Sequence, residues 1–174
     1  FHQTATAGAF GATIAAGRLY GLDQAQMRNA LSLVATRASG LKSQFGTMGK
    51  PYNAGLSAAN GVECAGLAKL GFISCDDGIA GPDFVLGWQN PTPQTFLFED
   101  IKYKLHACCH GTHAMIEAFA ALLASEKIAA NRVKKINLRV NPRWLGVCNI
   151  KKPRTGLEVK FSYAWLAGMV FHGI

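Results

Sequence analysis

The sequence is poor in charged residues and has no long uninterrupted apolar run. Charged side chains make up only 16% of its 174 residues, against 49% hydrophobic ones, a balance that predicts a packed interior and excludes a disordered chain. No apolar run reaches the roughly eighteen residues of a membrane-spanning helix, and the start lacks the charged-then-apolar order of a signal peptide. We therefore expect a folded protein that has no membrane partner.

Cysteine is present, but in no arrangement that indicates a disulfide framework or a zinc knuckle. The number is odd, five, and no two of these residues have CxxC spacing. Free thiols of this kind fit a reducing compartment, so we expect a cytoplasmic location. The five are Cys64, Cys75, Cys108, Cys109 and Cys148.

The charge balance is basic, with a formal net charge of +8. Lysines and arginines are nevertheless scattered, the tightest group being Lys151, Lys152 and Arg154, and no aromatic residues are interleaved with them in a stripe. We therefore expect no nucleic-acid partner. The positive balance suits a small anionic substrate such as a polycarboxylate, although most of these charges are expected to lie on a solvated surface.

The first half of the chain has helical patterns only. Residues 4–20 are small and apolar nearly all round, which is typical of a helix buried among other helices. A second helix, capped by an aspartate, is predicted over 23–39, and a third over 54–70, with a loop or helix entry at 42–52 between them. We therefore expect an all-helical domain over residues 1–92.

Pro91 and Pro93 mark the predicted domain boundary, because the patterns change after them. Two segments then alternate between apolar and polar residues, as half-buried strands do, and two others have helical spacing. The predicted elements are strands at 101–105 and 133–140 and helices at 113–127 and 155–172. We therefore expect residues 93–174 to form a smaller α+β domain.

Short polar clusters interrupt this apolar chain and are the candidates for chemistry. They are residues 1–5, 46–51, 104–113 and 160–165. The first places His2 at a predicted helix start, where free N–H groups favour a carboxylate, although an ordinary capping or surface histidine is the alternative. The second places Lys50 in a glycine-bounded loop before a helix, where its ammonium can reach an anion; a solvated surface lysine is the alternative.

The third cluster contains three histidines and two cysteines within eight residues. The spacing of His106, His110 and His113 suggests zinc as one interpretation. However, the cluster lacks a carboxylate ligand and His106 is expected to precede the helix, so we expect no metal. Imidazoles near lysines suit proton abstraction next to a carboxylate, while a structural role is the alternative for Cys108 and Cys109.

Taken in order, these clusters resemble those of the MmgE/PrpD family. Residues 1–8 (FHQTATAG) are similar to the family's helix that carries an active-site histidine, residues 46–50 (GTMGK) to its lysine loop, and residues 108–113 (CCHGTH) to its Cys/His-Thr-His segment. The resemblance covers essentially the whole chain. The family includes 2-methylcitrate dehydratase, cis-aconitate decarboxylase and iminodisuccinate epimerase.

The resemblance implies a mainly α fold, with part of a large all-helical domain followed by part of a smaller α+β lid. It further implies that the chain is an internal portion of a longer one, that the site lies in the cleft between the two domains, and that the full-length protein is a homodimer. The implied chemistry uses no cofactor. A proton is moved at a carbon next to a carboxylate of a small polycarboxylate, and water or carbon dioxide is then lost or the centre is inverted.

The resemblance also implies the site residues. Carried over by position, His2 corresponds to an active-site histidine, Lys50 to the loop lysine and Lys104 to a lysine of the lid strand. These three are the expected catalytic residues, and we expect both lysines to converge near His2 and to hold substrate carboxylates. The expected substrate-binding residues are Thr47, Met48, His106, His110, His113 and Tyr163.

Some features depart from the family pattern. Tyr52 and Asn53 stand where the lysine loop usually continues with Leu-His, and Trp165 stands where a tyrosine is often found. The family's N-terminal helices, which bear an aspartate and a histidine of the catalytic set, have no counterpart among these residues. We predict a hydro-lyase of the 2-methylcitrate dehydratase type. The alternatives are an epimerase or decarboxylase of the same family, a non-catalytic fragment that keeps only the anion pocket, and a metal-dependent hydrolase.

Overall fold

The computed structural model describes residues 1–76, 78–81, 97–126 and 128–174. The chain divides into two units. The first unit comprises Phe1–Gln44 and Met48–Phe96, and the second comprises Phe45–Thr47 and Leu97–Ile174. The predicted boundary at Pro91 and Pro93 lies outside the described residues and stays a prediction.

The first unit contains three α-helices, α1 (Gln3–Leu19), α2 (Gln24–Ala35) and α3 (Gly49–Lys69), and a 3-10 turn at Lys42–Gln44. These helices confirm the helical patterns of the first half of the chain. Asp23 caps α2 as predicted, since its carboxylate accepts a hydrogen bond from the Gln26 N–H at 2.8 Å. Helix α3 begins well before its predicted start at residue 54. Pro51 is tolerated there because the first N–H groups of a helix have no partner within the helix.

Helices α1 and α3 approach each other through small residues. Gly61 in α3 faces α1 so closely that a Cβ atom built on it would lie 2.6 Å from the Thr13 nitrogen and 2.7 Å from the Ala12 carbonyl carbon. Thr13 is fully buried at this contact, and its hydroxyl donates a hydrogen bond to the Ala9 carbonyl at 2.8 Å. Backbone therefore meets backbone here, which only glycine permits.

The second unit contains α4 (His110–Glu126), α5 (Pro142–Leu145), α6 (Gly156–Val159) and α7 (Tyr163–Phe171), with 3-10 turns at Leu97–Asp100 and Ala130–Arg132. Helix α4 packs against α7, and the larger side chains Met115, Ile116 and Leu166 are buried with Cys148 and Tyr163 in the core of this unit. Among the described helices of both units, none is long and apolar enough to cross a membrane.

The prediction of one closing helix over 155–172 is wrong, because the chain leaves the helical path between α6 and α7. Ser162 forms an isolated antiparallel bridge with Asn149. On either side of it, the Ile150 N–H donates to the Phe161 carbonyl and the Tyr163 N–H to the Cys148 carbonyl, both at 3.0 Å. Ser162, which is fully buried, then caps α7 by accepting from the Trp165 N–H.

The strands predicted at 101–105 and 133–140 are also absent from the structure, where neither segment is helix or strand. A strand exists only when a neighbouring segment accepts and donates its backbone hydrogen bonds. Within the described part of the chain, no backbone hydrogen bond joins either segment to another one. The α+β character of the second domain therefore stays a prediction.

Candidate active site

In the first unit, His2 lies at the N-terminus of α1, where it is the capping residue. Its N–H donates to the Gly40 carbonyl at 2.9 Å, and its own carbonyl accepts from the N–H groups of Ala5 and Thr6. Gly40 has a φ of +105°, and a Cβ atom on it would clash with Ala5. Glycine is therefore required at the residue that holds His2 in place.

The His2 ring lies in a positively charged environment. Only 9% of the residue is exposed, and burial is the largest effect that lowers the pKa of its imidazole. The ammonium groups of Lys50, in the first turn of α3, and Lys42, in the 3-10 turn, lower this pKa further. The structure therefore brings His2 and Lys50 together as predicted site residues and adds Lys42, which the sequence did not single out. An imidazole that has two ammonium groups nearby and lies at a helix N-terminus is a favourable place for a carboxylate.

Thr47 and Met48 are exposed and fall in different units. Met48 is 78% exposed and precedes α3 as its cap, without a side-chain hydrogen bond. Thr47 belongs to a short segment that is part of the second unit, where the Phe45 ring stacks on Phe161 at 5.5 Å. The predicted substrate-binding roles of Thr47 and Met48 therefore stay predictions.

The second unit holds a cluster of three histidine rings. Helix α4 begins at His110, so His110 and His113 lie on its first turn, while His106 precedes the helix. The His110 and His113 rings stack with centroids 5.2 Å apart, and His106 meets His113 edge-on at 5.0 Å. Three of the predicted substrate-binding residues therefore form one group.

The pKa of the His113 ring is lowered by its surroundings. Burial is the largest effect that lowers the pKa of its ring, followed by the nearby His106, His110 and Lys104. A hydrogen bond with the His106 backbone acts in the opposite direction and raises this pKa. The Nε2 atom of His113 is buried and has no hydrogen-bond partner among the described residues. Lys104, a predicted catalytic residue, therefore belongs to the same group as the three histidines.

A carboxylate that the sequence analysis did not single out completes the group. The Nε2 atom of His106 is hydrogen-bonded to the side-chain oxygen of Glu117, which lies on α4 one turn beyond His113. The spacing of four residues between His113 and Glu117 was a signal in the sequence, because such residues lie on the same helix face.

Tyr163 contacts the first turn of α4 through its hydroxyl. Its hydroxyl donates a hydrogen bond to the Gly111 carbonyl at 2.8 Å, which ties the start of α7 to the start of α4. Burial is the main reason that the pKa of this phenol is raised to about 12, with smaller contributions from Cys148 and Cys109. Because its proton is already donated to a backbone carbonyl, Tyr163 can meet a substrate carboxylate only by breaking this bond. Its predicted substrate-binding role stays a prediction.

The cysteines of this region anchor the backbone before α4. Cys108 Sγ lies 3.0 Å from the Thr112 hydroxyl, and the Cys109 N–H donates to the Lys160 carbonyl at 2.9 Å. Within the described ranges, no group of three or more His, Cys, Asp or Glu side chains is arranged to hold a metal ion.

Comparison with known proteins identifies two consecutive family domains. The MmgE/PrpD N-terminal domain matches residues 1–92, and the MmgE/PrpD C-terminal domain matches residues 106–173. Cis-aconitate decarboxylase from Aspergillus terreus strain NIH 2624 / FGSC A1156 is 30% identical over 161 residues, which cover 80% of this chain and 32% of that protein. Cis-aconitate decarboxylase from Homo sapiens is 34% identical over 71 residues, which cover 41% of this chain and 15% of that protein. The chain thus spans about a third or less of the length of these relatives.

Proposed function

The chain belongs to the MmgE/PrpD family. From this membership, and from the surroundings of His2 and His113, we propose that the whole protein is a lyase acting on a small polycarboxylate. In the proposed reaction, a proton is removed from a carbon next to a carboxylate. The observation that carries this proposal is the environment of His2, whose imidazole is buried beside the cations Lys50 and Lys42.

This environment couples substrate capture to proton transfer. Without an anion, burial and the two ammonium groups hold the pKa of His2 below its ordinary value, which favours the neutral form of the ring. A carboxylate bound between Lys50 and Lys42 would offset their positive charge and raise the pKa of His2 again. The bound substrate would thereby make His2 a stronger base at the moment when a proton has to be accepted.

We assign roles on this basis. His2 accepts the proton, while Lys50 and Lys104 hold carboxylates and stabilise the negative charge that develops after proton removal. His106, His110 and His113 act in substrate binding and proton transfer in the second unit. The lowered pKa of His113 supports this assignment, because burial is its largest cause, as it is for His2, and a lysine ammonium lowers the pKa of each ring further.

More specifically, we propose a hydro-lyase of the 2-methylcitrate dehydratase type. The similarity to two cis-aconitate decarboxylases favours decarboxylation as a second candidate. Both reactions can begin with proton transfer at a carbon beside a carboxylate, and they differ in the group that leaves.

A substrate screen with the full-length protein tests the proposal. Methylcitrate, citrate, cis-aconitate and iminodisuccinate are incubated in parallel and followed by proton NMR. Loss of water from methylcitrate supports the dehydratase form, and release of carbon dioxide from cis-aconitate supports the decarboxylase. Binding of these compounds without turnover or solvent proton exchange would contradict a lyase and leave an anion-binding protein.

Lysine substitutions test the assigned roles. A charge-assisted hydrogen bond contributes roughly 1.5 to 3 kcal/mol, so Lys50→Ala and Lys104→Ala are each expected to lower kcat/KM by about 10- to 150-fold without lowering Tm. The matched controls are Lys69→Ala, at the opposite end of α3, and Lys102→Ala, which removes an exposed ammonium paired with Asp100. Equal losses in the controls and in the test variants would contradict specific carboxylate binding.

A further inference from the structure

We propose that Asn53 is a substrate-binding residue whose side-chain N–H group donates a hydrogen bond to the carboxylate held near His2 and Lys50. This inference rests on the proposed function, because it names a further contact for the same polycarboxylate. Asn53 lies near the start of α3, in the same unit of the chain as His2 and Lys50.

The side-chain amide of Asn53 is buried without a hydrogen-bond acceptor. The residue is only 8% exposed, and its Nδ2 atom has no hydrogen-bond partner among the described residues. A buried amide that lacks its hydrogen bond costs free energy, and such groups are rare unless a ligand, a water molecule or another part of the protein accepts from them. An acceptor brought by the substrate would satisfy this donor.

Asn60 provides a contrast on the same helix. It belongs to the same buried face of α3, two turns beyond Asn53, and is 5% exposed. Its Nδ2 atom donates a hydrogen bond to the Arg37 carbonyl. Two equally buried asparagines on one helix face thus differ, because the described part of the chain supplies an acceptor for the amide of Asn60 and none for that of Asn53.

Asn53 lies beside His2, at the N-terminal end of α1. A Cβ atom built on Gly40 would lie 3.6 Å from His2 Cβ and 3.7 Å from Asn53 Cγ, so the two side chains flank the same glycine. Asn53 also follows Lys50 by three residues, a spacing that places both on one face of α3. The amide is therefore close to the imidazole and to a lysine whose ammonium acts on that imidazole.

The chemistry of a carboxylate suits this arrangement. Its two oxygens accept more hydrogen bonds than one ammonium group donates, and an amide N–H adds a donor of fixed direction to the flexible lysine. Part of Asn53 remains accessible, and rotation about its Cβ–Cγ bond, which has broad preferences, can turn the N–H groups toward a bound anion. Because an amide does not titrate, this contact leaves His2 as the proton acceptor.

The experiment compares Asn53→Ala with the matched control Asn60→Ala in the full-length protein. Without ligand, Asn53→Ala should leave the urea midpoint unchanged or raise it, because it removes an unsatisfied amide and alanine favours the helix. Asn60→Ala should lower the midpoint, because the Arg37 carbonyl loses its donor. Calorimetric titration with tricarballylate, a tricarboxylate without a hydroxyl leaving group, should give the opposite order. Its affinity should fall about 10- to 100-fold in Asn53→Ala and stay unchanged in Asn60→Ala.

Asn53→Asp tests the donor itself, because it keeps the shape of the side chain and replaces the N–H groups by a negatively charged acceptor. It should weaken tricarballylate binding at least as much as Asn53→Ala. Wild-type affinity in either variant overturns the proposal, as does absence of tricarballylate binding to the wild type. A loss of stability in Asn53→Ala as large as that in Asn60→Ala also overturns it, because the acceptor then lies within the protein.

The same measurements separate this inference from the proposed function. Binding of tricarballylate that depends on Asn53, in a protein that converts none of the tested compounds, supports Asn53 as an anion ligand and contradicts the lyase. Turnover together with wild-type tricarballylate affinity in Asn53→Ala leaves the lyase in place and contradicts the role of Asn53.

Discussion

Gly61 in α3 and Ile116 in α4 show how differently the two units are packed. At Gly61, a single added carbon would lie 2.6 Å from a backbone nitrogen of α1, so the contact between α1 and α3 has no space for a side chain at this position. In the second unit, Ile116 is buried with Met115 and Leu166, and space between helices is filled by large side chains. The first unit is therefore expected to be most sensitive to added volume and the second to removed volume.

The two histidines whose pKa is lowered, His2 and His113, have different surroundings. His2 is held by backbone hydrogen bonds, to Gly40 and at the start of α1, and its neighbouring cations come from two other elements. His113 lies in the first turn of α4, and its ring is surrounded by His106, His110 and Lys104. Burial is nevertheless the largest cause of the lowered pKa in both. The pKa is thus lowered in one unit beside lysines from two other elements and in the other unit within a cluster of histidine rings.

Ile116→Ala is expected to have the largest effect on stability, because it leaves a cavity among large side chains. Truncations of this kind destabilise by about 2 to 5 kcal/mol. Urea denaturation of the full-length protein measures the loss in the free energy of unfolding. Ile116→Val, which removes one carbon, should cost only about 0.5 to 1.5 kcal/mol. Similar losses for both variants would show that α4 is not held by close packing at this position.

Gly61→Ala is expected to have the next largest effect, with the opposite cause. Overpacking typically costs about 1 to 3 kcal/mol, which outweighs the gain of up to about 1 kcal/mol that alanine brings to a helix interior. The matched control is Gly55→Ala on the same helix, where a Cβ atom would meet no atom within 4 Å. The control should therefore be neutral or stabilising in the same denaturation experiment. Equal effects at both positions would contradict the close approach of α1 and α3.

Most helices of the fold were predictable because their signals are local. The small apolar run of α1, the Asp23 cap of α2 and the spacing in α4 are all read from neighbouring residues. The break before α7 was not predictable, because it depends on the bridge between Ser162 and the distant Asn149. The alternation of apolar and polar residues over 133–140 predicted a strand. A strand also needs a neighbouring segment for its backbone hydrogen bonds, and that neighbour depends on the tertiary structure.

The site was predictable to the extent that its residues form short motifs. His2, Lys50 and the His106–His113 run stand out by composition, and the structure places His2 with Lys50 and the three histidines with Lys104. Lys42 was missed because its proximity to His2 depends on how the 3-10 turn lies beside α1 and α3. The convergence of Lys50 and Lys104 near His2 stays a prediction, to be tested by the lysine variants.

Tyr163→Phe is expected to have a smaller effect on stability than the two packing variants. The substitution removes one hydrogen bond, to the Gly111 carbonyl, and a bond of this kind contributes about 0.5 to 1.5 kcal/mol. Gly111 lies in the first turn of α4, so its carbonyl also accepts within the helix and is not left without a partner. The denaturation midpoint measures the loss. A large loss of kcat/KM with unchanged stability would instead support the predicted contact of Tyr163 with substrate.

The smallest expected effect is a loss of stability on mild acidification, caused by His2 and His113. Their pKa values in the folded protein lie below the ordinary value of 6.5, which they regain on unfolding. Between the folded and the unfolded pKa, the unfolded chain binds more protons than the folded one, so the free energy of unfolding rises with pH and becomes constant above the unfolded pKa. Acidification from about pH 7.5 to about pH 5 should therefore destabilise the wild type.

His2→Gln and His113→Gln separate the contributions of the two units to this pH dependence. Glutamine does not titrate in this range, so each variant should show a weaker dependence of the free energy of unfolding on pH, and the double variant the weakest. Urea denaturation at several pH values gives the slopes. One informative outcome is that His2→Gln weakens the pH dependence of the free energy of unfolding and His113→Gln does not. In that case the contacts around His113 rearrange on acidification, and His113 is protonated while the protein is still folded. Such a result would show that the lowered pKa persists at the cap of α1 and not within the histidine cluster, and would sharpen the contrast between the two units. Unchanged slopes in both variants would contradict the lowered pKa values themselves.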